Sequence, residues 1–309
     1  MMTDATDHNY YARVPFVRRA RSAWPNGAQA ACAIVVSAEY YEMQPPADAF
    51  IPPNVPGGFG RGPYPDFRNY SARAYGNRVG IFRILAALEK YGLKASVALD
   101  ALTADLCPQL LRHVVRHGFE IVAHGQSVTR VISSRMSEDE ESSYIRSALG
   151  TIRAKTGVMP LGWHGPEYGE SRRTPGLLAM LGIKYVLDWP NDEQPVTMTT
   201  PHGPIISIPM LIDLDDVYAQ FHRKITPARW RTCVENALEQ IVADGQDGVA
   251  RLLVINLHPW LSGHPFRIGH VEALFETVAK RTDVWLASTG EIATYWARQS
   301  QQANSTVHV

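Results

Sequence analysis

Short apolar runs that alternate with amphipathic segments are the feature that most limits how this 309-residue chain can fold. The apolar runs have strand length, and the segments between them carry apolar residues at helical spacing. Repeated strand–helix units predict a mostly parallel sheet with helices packed outside it. The predicted strands are 31–37, 95–99, 120–123, 184–187, 205–209, 252–258 and 284–287, with a further short one near 160–162.

Start and stop signals support the helical segments. Residues 137–140, Ser-Glu-Asp-Glu, form a capping box that opens a helix running to about residue 156. Thr226-Pro227 supplies a cap and a first-turn proline for another helix, which ends near residue 244. Seven or eight strand–helix units in roughly 280 residues favour one α/β barrel over an open sheet with two domains. We therefore predict a single catalytic domain over residues 1–309.

One segment is too long for an ordinary strand-to-helix connection. Residues 44–65 are rich in proline and glycine and include Phe50, Phe59 and Tyr64. Loops of this length are either functional or disordered. The aromatic residues favour an ordered lid or a subunit contact over a disordered insertion. An N-terminal arm, residues 1–28, precedes the first strands.

Charge balance and cysteine spacing weaken several classes of function. Thirty basic and thirty acidic residues cancel, so no basic excess indicates a nucleic acid or an anionic membrane as partner. Cys32, Cys107 and Cys233 are far apart and lack metal-binding or redox spacing. The chain shows neither the apolar core of a signal peptide nor a run of about 18 apolar residues. These features predict a cytoplasmic protein.

Three polar residues follow predicted strands directly, at the edge where α/β folds place their chemistry. They are Glu39, His124 and His258. Burial at a strand end can raise the pKa of a carboxylate, which suits a general base. Each residue alone has an ordinary alternative, as a solvated glutamate or as a core histidine bonded to a carbonyl group. Together they suggest one hydrolytic pocket.

Two loops add further candidates. His164 follows Trp163, whose indole is a plausible stacking surface for a substrate. Asp188, followed by Trp189, ends another predicted strand, and its carboxylate could orient an imidazole through the second ring nitrogen. The alternatives are a solvated loop histidine and an Asx-turn or helix cap. We predict that these four residues and His124 bind substrate.

Specific short motifs for other chemistries are missing from the sequence. It contains no H-E-x-x-H or H-x-H metal motif, no phosphate-binding P-loop and no G-x-S-x-G nucleophile elbow. His113 and His117 share one face of a predicted helix, but that helix precedes a strand and lies away from the strand ends. We interpret both as surface residues.

The chain resembles the NodB-homology superfamily of polysaccharide deacetylases, in the branch that includes the metal-independent bacterial allantoinase and cyclic-imide hydrolases. The resemblance extends from Trp24 to Trp296 and rests on the order and spacing of several stretches. It implies a deformed (β/α) barrel whose site is at the carboxyl ends of the strands. It also implies cleavage of a C–N bond by attack of water on an acyl carbon. The stretches are 34–39, 75–80, 117–125, 156–163, 182–195 and 257–267.

The resemblance also implies where this chain departs from the deacetylase pattern. Relatives of that type carry two aspartates in the first motif, a base and a metal ligand, and here Glu39 and Tyr40 match those positions. They also bind metal through two histidines four residues apart, and here His124 and Val128 match those positions. Two of three ligands are replaced by side chains that cannot bind zinc in the same way. The resemblance therefore predicts that the usual zinc site does not form.

By the same resemblance His258 matches the late histidine that protonates the leaving group, and His164 stands where many relatives have an arginine. We predict hydrolysis of a small amide, imide or ureide, with Glu39 activating water and no cofactor. One alternative is a zinc-dependent N-deacetylase that uses Glu39, His124, His164 and His258 as ligands, because imidazole and carboxylate suit zinc. The other is a barrel that binds a ligand without catalysis. The resemblance also makes a homo-oligomer plausible.

Overall fold

The computed structural model describes residues 8–49 and 65–306, in which nine strands form one curled sheet. The strands are β1 (Ala30–Ala38), β2 (Ser96–Leu99), β3 (Glu120–Ala123), β4 (Gly162–Trp163), β5 (Tyr185–Val186), β6 (Val196–Met198), β7 (Ile205–Ser207), β8 (Arg251–Leu257) and β9 (Val284–Leu286). The helices are α1 (Phe67–Tyr75), α2 (Ile81–Lys90), α3 (Ala101–Leu106), α4 (Pro108–Arg116), α5 (Glu138–Thr156), α6 (Thr174–Met180), α7 (Pro227–Gly245), α8 (Pro259–Ser262), α9 (Ile268–Ala279) and α10 (Thr289–Thr306). Among these helices, none is both long enough and apolar enough to cross a bilayer.

The sheet runs in the order β6-β7-β5-β4-β3-β2-β1-β8, and β9 pairs with β1. Every pairing is parallel except the one between β6 and β7. Within the described residues, the two end strands β6 and β8 do not pair with each other, so the sheet curls without closing. This half-barrel with outer helices confirms the predicted deformed (β/α) barrel.

Alternating side chains of the strands build two separate apolar layers, as the period of two requires. In β1, Cys32, Ile34 and Val36 pack outward against the helices. Ala33 and Val35 belong instead to the inner layer. Because both layers exclude water, the strands read as continuous apolar runs rather than as alternating ones.

Most predicted elements agree with the structure to within one or two residues. The capping box forms as predicted, with Ser137 and Glu140 bonding each other's backbone N–H groups. Strand β6 was missed, because Val196–Met198 is short and half-buried and has no apolar run. The proposed lid lies mostly at 50–64, outside the described residues. The described part of the N-terminal arm is held by Arg19, which pairs with Asp192 at 2.5 Å.

Gly80 places the start of α2 against the loop that follows His258. A Cβ atom at this position would overlap the carbonyl oxygen of Pro259, a backbone atom that has little freedom to move away. Overpacking of this kind costs about 1–3 kcal/mol. We expect Gly80→Ala to lower the free energy of unfolding by at least that amount, measured by urea denaturation.

Gly150 in α5 gives the matched control. No atom lies within 4 Å of the position its Cβ would take. Alanine in an open helical position stabilises by roughly 0.5–1 kcal/mol, so Gly150→Ala should raise the urea midpoint. Equal effects of the two substitutions would contradict the close approach at Gly80.

Candidate active site

Four strands of the sheet are each followed by a polar side chain that lines one cavity at the carboxyl edge of the sheet. The last residue of each strand packs outward, so the residue after it points inward. Glu39 follows β1, His124 follows β3, His164 follows β4 and His258 follows β8. The cavity they line has a volume of about 20 Å³, enough for one water molecule. Its other lining residues include Arg73, Glu167, Tyr168, Asp215, Tyr218 and Trp260.

Glu39 is the point where the polar contacts of the cavity meet. Its Oε1 lies 3.6 Å from His124 Nε2 and 3.4 Å from His258 Nε2. Its Oε2 accepts a hydrogen bond from Trp260 Nε1 at 3.2 Å and lies 3.8 Å from Arg73 Nε. One carboxylate oxygen thus faces two imidazoles, and the other faces an indole and a guanidinium.

The pKa of Glu39 moves in the direction opposite to the one expected from burial at a strand end. Burial alone would raise it. The charge of His258, the close approach of the His124 and His258 rings, and the charge of Arg73 outweigh burial and hold the pKa of Glu39 well below its usual value. The expectation of a raised pKa is wrong because it considered burial alone, whereas Arg73, which the sequence did not place here, and the two nearby imidazoles stabilise the ionised form. Glu39 is therefore a carboxylate at neutral pH.

His258 lies between carboxylates. Its Nδ1 is 2.7 Å from Asp216 Oδ1, and its backbone N–H donates to Asp216 Oδ2 at 2.9 Å. The Ser262 hydroxyl donates to the same Oδ2. Burial alone would lower the pKa of His258, but Asp215, Glu39 and Asp216 reverse this and raise it well above the usual value. The resulting imidazolium directs Nε2 at Glu39, inside the cavity.

Asp215 and Asp216 are the functional candidates that the sequence analysis did not name. Asp215 Oδ2 accepts hydrogen bonds from Asn256 at 2.8 Å and Tyr168 at 3.1 Å, and Oδ1 accepts one from the backbone of Val217 at 2.9 Å. Both acids are buried. The available signal was an adjacent acid pair shortly after the seventh strand, but such a pair usually marks a solvated turn.

The other two histidines are fixed by single partners behind the cavity. His164 Nδ1 lies 2.9 Å from Asp188 Oδ1, and His124 Nδ1 lies 2.6 Å from the backbone oxygen of His164. A carbonyl oxygen only accepts, so Nδ1 of His124 carries a proton. Burial lowers the pKa of His164. In its neutral form Nδ1–H bonds Asp188, and Nε2 is left as an acceptor.

This tautomer changes the role expected of these imidazoles. An oxyanion needs hydrogen-bond donors, and a neutral His164 offers only the lone pair of Nε2 to the cavity. His124 Nε2 is buried and has no hydrogen-bond partner among the described residues; it lies 3.6 Å from Glu39 Oε1. In this form His164 cannot donate a hydrogen bond from Nε2 to an oxyanion, and it faces the cavity as an acceptor. Asp188 does contact the second nitrogen of an imidazole, and it lies behind His164 and does not line the cavity.

Glu167 is a second acid in the cavity that sequence analysis missed. Its backbone has φ of 54°, and the next residue, Tyr168, has φ of 56°. Consecutive non-glycine residues in this region are strained, and such strain concentrates at functional sites. Burial first, and then the charge of Glu39, raise the pKa of Glu167 to about 8. Its neutral carboxyl group is a hydrogen-bond donor at pH 7.

The two tryptophans expected to wall the pocket lie elsewhere. Trp163 is the last residue of β4 and faces the outer apolar layer, because neighbouring strand residues point to opposite sides. Trp189 packs against Tyr10 and Tyr11 of the N-terminal arm and donates from Nε1 to Glu170 at 2.8 Å. Trp260 is the indole that lines the cavity instead.

The positions that match metal ligands in the resembled deacetylases do not fit a metal here. Tyr40 turns its ring towards Tyr70, with 6.1 Å between centroids, and Val128 is buried as an apolar side chain. The rearranged set of Glu39, His124, His164 and His258 is not among the groups of described residues whose ligand atoms all lie within 4.8 Å of one another. His124 and His258 instead approach Glu39 from separate directions.

One group at the cavity does meet that distance requirement, namely Asp215, Asp216 and His258. Its carboxylate oxygens already accept hydrogen bonds from backbone amides and from the side chains of Asn256 and Ser262. These donors would face a cation with their positive ends. We therefore interpret this group as a hydrogen-bonded support of His258.

Comparison with known proteins agrees with this geometry. The model of the polysaccharide deacetylase family matches residues 75–186. PuuE allantoinase has a similar structure, with a TM-score of 0.75 and 25% identity over 88% of this chain and 92% of that chain. A probable polysaccharide deacetylase from Pseudomonas aeruginosa PAO1 has a TM-score of 0.79 and 22% identity over 91% and 95% of the two chains.

A peptidoglycan deacetylase from Helicobacter pylori is 29% identical over 129 residues, which are 42% of this chain and 43% of that one. The family match, the curled barrel and the strand-end residues agree with one another. Residues 75–186 match the polysaccharide deacetylase family, and the fold of the chain is similar to the folds of a probable polysaccharide deacetylase and of PuuE allantoinase.

Proposed function

We propose that this protein hydrolyses a C–N bond in a small amide, imide or ureide. The observation that supports this most is the row Asp216–His258–Glu39, which places an ionised carboxylate 3.4 Å from a charged imidazole. Acid and base catalysis of hydrolysis needs one group that accepts a proton and one that donates it. The opposite pKa shifts of Glu39 and His258 separate these two roles.

In the proposed reaction, Glu39 binds a water molecule in the cavity and accepts its proton. The water oxygen attacks the acyl carbon of the substrate, and negative charge develops on the carbonyl oxygen. His258 then donates the proton on Nε2 to the leaving nitrogen, and the C–N bond breaks. Asp216 keeps His258 charged until this proton transfer and holds its ring oriented throughout. The indole N–H of Trp260 keeps Glu39 in place through Oε2.

His164 is a second candidate for the base, since its Nδ1 bonds Asp188 and its Nε2 is an acceptor at the cavity. Its lowered pKa leaves it neutral at pH 7. Loss of activity in His164→Asn with retention in Glu39→Gln would assign the base to His164. The reverse pattern supports the proposed mechanism.

Glu167 predicts how activity depends on alkaline pH. Its carboxyl group is neutral below its pKa of about 8 and ionised above it. Ionisation adds a negative charge beside Glu39 and removes a donor from the cavity, so we expect turnover to fall as pH rises through about 8. Glu167→Gln keeps a neutral donor at every pH and should move that fall to higher pH. Initial rates from pH 6 to 10 measure it.

A non-catalytic barrel and a zinc-dependent deacetylase are the rival functions. One panel of allantoin, a dihydropyrimidine, succinimide and an N-acetyl sugar separates them from a metal-free hydrolase. Release of product that survives a chelator supports our proposal. Binding without turnover of any compound favours the first rival, and loss of activity in chelator favours the second. We prefer small molecules because Glu39 and His258 are buried at the strand ends rather than on an open surface. We also propose that the protein is cytoplasmic and forms a homo-oligomer.

A further inference from the structure

A cluster of metal-binding side chains lies on the helical layer, apart from the cavity. Glu89 comes from the last turn of α2, His113 from the last turn of α4, and His117 caps α4. His113 and His117 are four residues apart, which brings them to the same face of a helix. The packing of α2 beside α4 places the carboxylate opposite both rings.

The ligand atoms of this cluster converge. Glu89 Oε1 lies 3.2 Å from His113 Nε2 and 2.9 Å from His117 Nδ1. All three atoms lie within 4.8 Å of one another. Ligands bound to tetrahedral zinc at about 2.1 Å are roughly 3.4 Å apart. Small rotations of these partly exposed side chains are enough to receive an ion.

The two imidazoles are already partly ordered for binding. Their rings stack with 4.2 Å between centroids and 18° between planes. The edge-on ring of Phe82 contacts His113 at 5.6 Å between centroids. The side chains of His113 and His117 are 27% and 35% exposed, so an ion can reach them from solvent.

We propose that Glu89, His113 and His117 form a surface site for a divalent transition metal such as zinc. Two imidazole nitrogens and one carboxylate suit zinc and neighbouring metals and suit calcium or magnesium poorly. Three protein ligands leave one position for water. The ion would link the end of α2 to the end of α4. The site is independent of the hydrolysis proposed above.

Titration of the full chain, purified without an affinity tag, with zinc chloride against a fluorescent zinc indicator tests the site. We expect this site to bind one zinc ion per chain, and we expect calcium not to compete with zinc for it. Loss of an outer partner of a ligand weakens metal binding about 10–100-fold, so His113→Ala and His117→Ala should each weaken it at least tenfold. His202→Ala, at an exposed histidine outside the cluster, should bind as the parent does.

The cavity variant His258→Asn distinguishes this site from the active site. We expect it to keep the zinc equivalent, and zinc to raise the melting temperature of the parent and of this variant but not of His117→Ala. Circular dichroism checks that each variant is folded. Zinc binding that survives both α4 substitutions, that disappears in His258→Asn, or that never saturates would overturn the proposal.

Discussion

Glu39→Gln is expected to lower the turnover number at pH 7 by about a thousandfold, because general acid–base groups contribute roughly 10²–10⁴-fold. The amide keeps the size of the side chain and can still accept a hydrogen bond from Trp260, but it cannot take a proton from water. The charges of His258 and Arg73 would also lose their shared counter-ion. Steady-state hydrolysis of whichever panel compound is accepted measures the effect.

Glu276→Gln is the matched control for that experiment. Glu276 is on the surface of α9, where it pairs with Lys280, and exposed pairs contribute little to stability. We expect this variant to have the same turnover number as the parent protein. Unchanged hydrolysis in Glu39→Gln would end the assignment of Glu39 as the base, whereas normal folding with loss of turnover supports it.

Asp216→Asn is the second change with a large expected effect, and it acts through His258. Removing the carboxylate leaves a buried imidazolium without its closest counter-ion, and breaking such a pair costs about 3 kcal/mol or more. The pKa of His258 should fall, so the loss of activity caused by deprotonation of His258, as distinct from the fall near pH 8 that Glu167 causes, should begin at lower pH. The turnover number should also fall, because the ring loses its orienting partner. A full pH–rate profile separates this effect from a purely structural one.

The effect of Asp216→Asn on stability has a defined sign. A histidine whose folded pKa is raised contributes stability that is complete below about pH 6.5 and is lost as pH rises through the folded pKa. The cost of Asp216→Asn should thus be largest in mildly acidic solution and smaller in strongly alkaline solution. Asp213→Asn, at an exposed acid on the preceding turn, should show neither change. A pH-independent cost would contradict the pairing with His258.

A residue that directly follows a buried strand lies at the carboxyl edge of the sheet. This regularity accounts for the residues that sequence analysis could place in the cavity. Glu39, His124 and His258 each follow a long or clearly apolar strand, so their position at the carboxyl edge could be inferred from periodicity alone. The same period of two argues against Trp163, because it is adjacent to His164 and must point to the other face. The two-residue strand β4 gave too short a pattern to show this.

Residues in the connections could not be found in this way. Arg73 is in α1, Glu167 is in a strained turn, and Asp216 begins a short helical segment that comes after β7 in the chain. Their positions depend on how helices and loops fold over the strand ends, and no local period records that. Arg73 helps to lower the pKa of Glu39, and Asp216 helps to raise the pKa of His258. The direction of the pKa shift of Glu39 was therefore beyond the sequence.

The pairing of β1 has a consequence for how the protein is made. Residues Ala30–Cys32 pair with both β8 and β9, which are encoded more than two hundred residues later. At 5–20 residues per second, roughly 10–40 s pass between synthesis of β1 and synthesis of β8. During that time Ala30–Cys32 have neither of the two strands that they pair with in the folded protein. The nascent chain thus depends on protection from aggregation until its last quarter has left the ribosome.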